Sequence, residues 1–382
     1  MDNLKNKLES IFKKNNTLLC IAPISKNCVD ASIEISKKYD VPIVFIASRS
    51  QIETKTLFLG YVNNWTTESF SNYIFNENSS KNIFLARDHG GPWQNDHEKY
   101  LKLEYDEALN NIKKSFQADI DSGFTFLHID PTFDLSETLT TSQVLTRVKE
   151  LYEFCFNYAQ KNDKDIDFEI SIWEDGSSVK ENDDVDFVIN EVISFCELKR
   201  FPKPKFFVIP IGNNIKELKN TGPINFSSNL DEISLRISKM TQTCKKYGVF
   251  PKVHNADFLP PSSLKLFPKL GVSAVNIAPE IGSFETKSFL DLLKSHNLLD
   301  ELSEFIEIAY SSEKWKKWVS SNSNLSKHDL AIIAGHYVFS TAEFSKLKLS
   351  VEEKLSMDID IFLKNKIKDQ IIALMKSFSL IS

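Results

Sequence analysis

The chain has 382 residues, with 46 Lys and Arg against 52 Asp and Glu, and its net charge of −6 is spread without a basic block. That leaves no electrostatic footprint for nucleic acid or an anionic membrane surface, and no run approaches the roughly 18 apolar residues of a membrane helix. Five scattered cysteines with no C-x-x-C pair indicate neither a disulfide framework nor a thiolate zinc site; with the charged start Met1-Asp2-Asn3-Leu4-Lys5, they give the expectation of a cytoplasmic protein with reduced thiols.

In chain order, residues 4–15 have the period of a short amphipathic helix, and Thr17 to Pro23 reads as a buried strand ended by proline. A helix over 28–39 leads through Asp40-Val41-Pro42 to a second strand, Ile43 to Ala47, whose polar exit is Ser48-Arg49-Ser50-Gln51. Thr66-Thr67-Glu68-Ser69 has the cap and acidic first turn of a helix start. The third strand, Ile83 to Ala86, runs into Asp88-His89-Gly90-Gly91-Pro92. A helix from Tyr105 to Ser122 precedes strand four, Phe126 to Pro131, and another from Ser142 to Gln160 precedes strand five, Asp167 to Trp173, which Glu174-Asp175-Gly176 breaks. Helix 184–199 leads to strand six, Pro204 to Pro210, and helix 229–247 ends near Gly248 before strand seven, Phe250 to Val253, and His254-Asn255-Ala256-Asp257. A proline-flanked helix then reaches Gly271 and strand eight, Ser273 to Ile277.

Eight strand-then-helix units predict an α/β fold, a (β/α)8 TIM barrel over residues 1–298, with residues 299–382 as a C-terminal helical extension packed on it. A doubly wound sheet is the competing architecture. The barrel is preferred because polar residues follow most of the strands and no Gly-x-Gly-x-x-Gly follows the first.

In a barrel, the residues after strands three, four, five, seven and eight share one mouth: Asp88, His89, His128, Asp130, Glu174, His254, Asn276 and Glu280. Imidazoles beside a carboxylate suit a divalent ion, zinc first, with Mn2+ and Co2+ as alternatives. Each residue also has a structural reading. A lone histidine is more often a core or surface imidazole, Asp88 and Asp130 suit turns, Glu174 and Asp175 suit a solvated loop, and Glu280 suits a helix N-terminus. Arg87 and Lys252 read as salt-bridged cations, and the Trp315 and Trp318 pair reads as packing.

Several separated segments, in order, carry a likeness: Ile46 to Gln51 with Gly60-Tyr61 and Thr67 to Phe70, then Asp88 to Pro92, His128-Ile129-Asp130, and Val253 to Asp257. The chain resembles the accessory, non-catalytic subunit family of class II tagatose-bisphosphate aldolases, relatives of class II fructose-bisphosphate aldolases. The resemblance implies a TIM barrel, a divalent metal in the catalytic relatives, and chemistry on ketose phosphates. It makes Asp88 the acid/base and His89 and His254 metal ligands; Glu174, from its own place after strand five, is a second candidate for base and for ligand. The catalytic relatives carry a further histidine after strand six, where this chain has Ile209-Pro210-Ile211-Gly212, so Glu174 or His128 would have to substitute. Arg49, Gln51, His128, Asp130, Asn255, Asn276 and Glu280 are the candidates for substrate binding. The relatives bind phosphate on Gly/Ser-rich loops after strands seven and eight; acids stand there in this chain, which points to an unphosphorylated substrate or a phosphate held elsewhere.

The expected activity is that of a metal-dependent aldolase or 4-epimerase acting on a ketose or ketose phosphate through an enediolate. The alternatives are a non-catalytic subunit that stabilises a partner class II aldolase and, more weakly, a metal-dependent sugar isomerase. The expected partners are a small sugar or sugar phosphate and either a catalytic aldolase subunit or further copies of the chain.

Overall fold

Eight parallel strands close into a barrel: β1 (Leu18–Ile21), β2 (Ile43–Ser48), β3 (Ile83–Gly90), β4 (Phe126–Ile129), β5 (Asp167–Ile170), β6 (Phe206–Val208), β7 (Phe250–Val253) and β8 (Ala274–Ile277), with β8 paired to β1. A computed structural model of the chain describes residues 2–382 except 78–81, 175–176, 178–179, 227–229 and 321. The predicted fold class is thus the one observed, and helices cover the outside. Among the described residues, no helix is long and apolar enough to cross a membrane.

The pleat divides each strand between two cores. Residues such as Leu19, Ile21, Phe45, Leu85, Leu127, Phe168 and Val253 point out against the helices, where they join the largest apolar cluster. The alternate positions, Leu18, Cys20, Val44, Ile46, Phe84, Ala86, Phe126, Phe206 and Ala274, fill the barrel interior. The N-terminal helix Asp2–Lys13 closes the lower end, with Phe12 packed 5.8 Å from the ring of Phe206 and 4.2 Å from that of Phe250. The lower interior is therefore apolar, and polar side chains occupy the upper layers.

Two arginines brace the outside of the mouth. Arg87, on the outward face of β3, forms a two-pronged ion pair with Asp119 of helix Tyr105–Asp121 and also donates to the carbonyls of Ala47 and Ile52. Arg49, just past β2, is fully buried between Glu53 and Glu98, with contacts of 2.7 and 2.6 Å. Both are structural ties, and buried charges of this kind are tolerated because every one is paired. All five cysteines are free and buried, as the sequence leads one to expect.

The C-terminal residues are helical, as predicted, but divided differently. Residues Val351 to Met375, whose sequence reads as one helix, fall in two, Ala342–Leu355 and Ile359–Ser377, because Ser356 turns left-handed at φ 50° and the Asp358 carboxylate caps the second helix at the Ile361 amide. Ile367, Ile371, Leu374 and Met375 of the last helix belong to the main barrel core, whereas Phe289, Phe305, Ala331, Phe344 and Leu363 form a separate cluster.

One seam of this packing has a pH signature. Glu285, on helix Pro279–Ser295, is fully buried and accepts hydrogen bonds from Ser25 Oγ (2.6 Å) and Asn27 Nδ2 (3.0 Å), while Asn27 also reaches Asp360. Burial pushes its carboxyl from the ordinary 4.5 up to about 7. The folded state then holds a proton that the unfolded chain has lost above about pH 4.5, so this group's contribution to stability falls as pH rises from about 4.5 to about 7, by roughly 3 kcal/mol in all. Glu285→Gln is expected to flatten that slope in denaturant titrations from pH 4.5 to 8; an unchanged slope contradicts the assignment.

Candidate active site at the barrel mouth

The inward alternation that lines the lower barrel with Phe84, Phe126 and Ala274 continues upward into polar residues. It gives Asp88 on β3, His128 and Asp130 on and after β4, Glu169 and Ser171 on and after β5, Lys252 and His254 on and after β7, and Asn276 on β8. All are nearly or fully buried. Period two cannot also bring His89 inward, since it follows Asp88 directly. A bulge does this: the β3–β4 register shifts between Arg87 and Gly90, and His89 adopts φ 49°, a strained left-handed conformation for a side chain of this size. Gly90 and Gly91 allow it, because a Cβ at these positions would lie 2.4 Å from the His128 carbonyl oxygen and 2.0 Å from that of Asp130.

The result is a cluster of four ligating groups, Asp88, His89, His128 and His254, whose donor atoms lie within 4.8 Å of one another. Each imidazole is held by a fixed partner. His89 Nδ1 lies 2.6 Å from Asp130 Oδ2, His254 Nε2 lies 2.7 Å from Glu169 Oε1, and His128 Nε2 lies 2.8 Å from Ser171 Oγ. Asp130 is steadied in turn by Thr132 Oγ1 at 2.6 Å, and Glu169 by the buried Lys252 ammonium. Carboxylates that orient imidazoles from behind are the usual outer layer of a metal site. The remaining atoms converge on Asp88: His89 Nε2 is 3.6 Å from Oδ2, and Asn276 Nδ2 donates to Oδ1 at 3.3 Å.

His128 differs from the other two histidines. The backbone amide of His89 donates to its Nδ1 at 3.1 Å, so that nitrogen's lone pair is engaged and Nε2 carries the proton given to Ser171. The groups that fit a divalent ion are therefore His89 and His254 beside the Asp88 carboxylate. Asn276 Oδ1, buried without a hydrogen-bond partner, is an acceptor suited to the same polar centre. Burial pushes the Asp88 carboxyl up, but the neighbouring imidazoles of His89, His128 and His254 outweigh it and hold the group well below the usual carboxylate range.

Above this centre lies a cavity of about 290 Å³ walled by His89, Asp130, Phe133, Glu174, Asn255 and Trp318. The structure brings together Asp88, His89, His128, Asp130, His254 and Asn276, and puts Asn255 in the cavity wall with φ 53°. Glu174 is exposed on the loop after β5 and lies outside the four-group cluster, because the inward pleat ends at Ser171 and the acid that reaches His254 is Glu169. Asp175 lies outside the described residues.

Three of the expected substrate contacts are replaced by structural roles. Arg49 is sealed between two carboxylates, as described above. Gln51 is buried and accepts the Ser48 amide at 3.0 Å, capping the end of β2. Glu280 accepts from the Phe258 amide at 2.7 Å and from Gln370 Nε2 at 2.6 Å. Conversely, Glu169, which does not stand out in the sequence, and Trp318, which reads there as packing, belong to the site. Glu169 had a usable signal, an acid at an inward position of a buried strand; Trp318 had none, because nothing local links residue 318 to a barrel mouth.

The loops after β7 and β8 hold their backbone donors within the chain. Asp257 Oδ1 accepts the amides of Ala278 (2.8 Å) and Glu280 (2.9 Å), the first amides of helix Pro279–Ser295. With Glu280 on the Phe258 amide, the chain's own carboxyl groups hold the backbone donors that an anion would use there.

No protein-family model matches the chain, and no curated protein sequence matches it. Its backbone is similar to that of a probable tagatose 6 phosphate kinase from Sinorhizobium meliloti 1021, with TM-score 0.72 and 16% identity over 94% of this chain and 100% of that one. It is also similar to fructuronate-tagaturonate epimerase from Cohnella laeviribosi in complex with one glycerol, with TM-score 0.59 and 11% identity over 98% of this chain and 86% of that one. Fructose-bisphosphate aldolase from Campylobacter jejuni superposes with TM-score 0.57 and 10% identity over 100% of this chain and 95% of that one. At these identities the likeness is one of fold, and the chain shares its barrel architecture with these carbohydrate-related proteins.

Proposed function

We propose that the protein is a divalent-metal-dependent carbohydrate lyase or 4-epimerase that breaks, and for an epimerase remakes, the C3–C4 bond of a ketose. The observation that carries this reading is the convergence of His89, His254 and Asp88 beneath a sugar-sized cavity, each imidazole oriented by its own carboxylate. His89 and His254 would hold the ion, with zinc the first choice for two imidazoles. Bound there, such an ion supplies Lewis-acid polarisation of the C2 carbonyl. Asp88 is the residue placed to take the C4 hydroxyl proton, since its Oδ2 faces His89 while Asn276 anchors its Oδ1. Glu174, on the open cavity wall, is a second carboxylate within the same space. Epimerisation then requires only that the aldehyde fragment turn its other face before the bond reforms.

The filled amide cradle supports a substrate without a phosphate at the β7–β8 side. The accessory-subunit reading is less well supported, because burying Asp88, three imidazoles, Glu169 and Lys252 carries a desolvation cost that a purely structural barrel has no use for. An isomerase would share the metal and the enediolate but would leave every carbon–carbon bond intact.

The test is to incubate the metal-loaded protein with unphosphorylated and phosphorylated ketohexoses and ketohexonates and to follow products by NMR. The C4 epimer or two three-carbon fragments are expected. Ketose–aldose exchange alone would mark an isomerase, and no conversion across the panel by protein shown to hold metal would overturn the proposal.

A further inference from the structure

The C-terminal extension reaches the cavity through one short element, the 3-10 turn Lys314–Trp318. Trp318 walls the cavity and is fixed by a 3.1 Å hydrogen bond from its indole nitrogen to the Tyr337 hydroxyl. From the barrel side comes helix Asp96–Leu101, tied to the end of β2 by the buried Arg49–Glu98 pair. The two elements meet at Asp96, whose Oδ2 lies 3.9 Å from Lys314 Nζ and 4.0 Å from Lys317 Nζ. Lys99 is the third cation there, and burial, which alone would raise the Asp96 carboxyl, is outweighed by Lys317, Lys314 and Lys99, so that it sits below its ordinary range.

Three ammonium groups thus share one carboxylate. Two of them face the cavity's aromatic wall: Lys99 Nζ lies 4.4 Å from the Phe133 ring centroid and Lys317 Nζ 5.3 Å from that of Trp318. Both rings line the cavity that opens onto His89 and Asp130. Aromatic faces hold an ammonium in place without neutralising it. Lys99 also interacts with Asp130 and Glu174 of the cavity wall, whereas the β7–β8 amides are already filled by Asp257 and Glu280.

We propose that Lys99 and Lys317 form an anion subsite for the far end of the substrate, a carboxylate or a phosphate, supplied jointly by the barrel and the C-terminal extension. This rests on the carbohydrate reading of the site and specifies its substrate class: a sugar that carries its charge at the end remote from the reacting carbonyl. Asp96 occupies the subsite's charge when no substrate is bound and sets how strongly an anion competes.

The test is calorimetric binding of three six-carbon probes to the full chain as purified: sorbitol, gluconate and sorbitol 6-phosphate. At least one anionic probe is expected to bind about tenfold or more tightly than sorbitol, as charge-assisted contacts with two lysines imply, and the preferred anion identifies carboxylate or phosphate. The preference is expected to weaken with added salt and to fall below about threefold in Lys99→Met/Lys317→Met. Asp96→Asn is expected to act in the opposite direction and tighten the anion, an effect that misfolding cannot imitate. Equal binding of all three probes, no binding of either anion, or a preference that survives in the double variant would overturn the subsite. Because this measurement needs no turnover, an absent anion preference in an active enzyme removes the subsite alone, whereas a clear preference in a protein that converts no sugar removes the catalytic reading alone.

Discussion

Asp88→Asn is expected to lower turnover by about 10²–10⁴-fold while the protein stays folded and keeps its divalent ion. The substitution is nearly isosteric and preserves the polar contacts of a side chain set among His89, His128 and Asn276, but an amide cannot accept the substrate's proton. Measured kcat beside metal content separates this role from metal binding. Loss of the ion in Asp88→Asn would make Asp88 a ligand, and unchanged kcat would move the proton transfer to Glu174.

The second large effect is at Glu169. Its two carboxylate oxygens divide between Lys252 and His254 Nε2, and although burial alone would raise this carboxyl, Lys252, His128 and His254 hold it down at about 2. Glu169→Gln leaves the buried Lys252 ammonium without a counter-charge and His254 without its orienting acid. Stability is expected to fall by about 3–5 kcal/mol in denaturant unfolding, the usual consequence of removing one partner of a buried pair. Metal affinity is expected to fall by about 10–100-fold, because the orienting layer fixes the ligand's tautomer and angle. Glu169→Gln/Lys252→Met separates the two losses: removing the stranded charge restores most of the stability but not the affinity. If the double variant failed to recover stability, or recovered metal affinity as well, the division of labour assigned to Glu169 would be wrong.

The barrel was legible because its signals are local and repeat eight times: apolar strands with polar exits, amphipathic helices and glycine caps such as Gly248. The floor of the site was legible for the same reason, since Asp88, His128, Asp130, His254 and Asn276 all lie on or just beyond strands. What escaped the sequence depends on side-chain direction and on distance along the chain. Glu174 looks like a site acid because it follows β5, yet the pleat selects Glu169, five residues earlier. Arg49 and Glu280 stand in the right loops but are claimed by Glu53 and Glu98 and by the Phe258 amide and Gln370, pairings that, apart from Arg49–Glu53, join segments far apart in sequence. His89 reaches the site only through a bulge, which the glycines after it permit but do not by themselves announce. Trp318 and Lys317 enter from the extension, where the helical spacing of Trp315 and Trp318 resembles ordinary packing.

The central claim is that the mouth of this barrel holds a divalent ion between His89 and His254. Elemental analysis of chelator-free protein, wild type beside His254→Ala, tests it most directly. About one zinc, manganese or cobalt ion per chain in the wild type, lost in His254→Ala, is the predicted result. A wild type that remains empty after each of these metals has been added would contradict the account and remove the metal-assisted carbon–carbon chemistry built upon it.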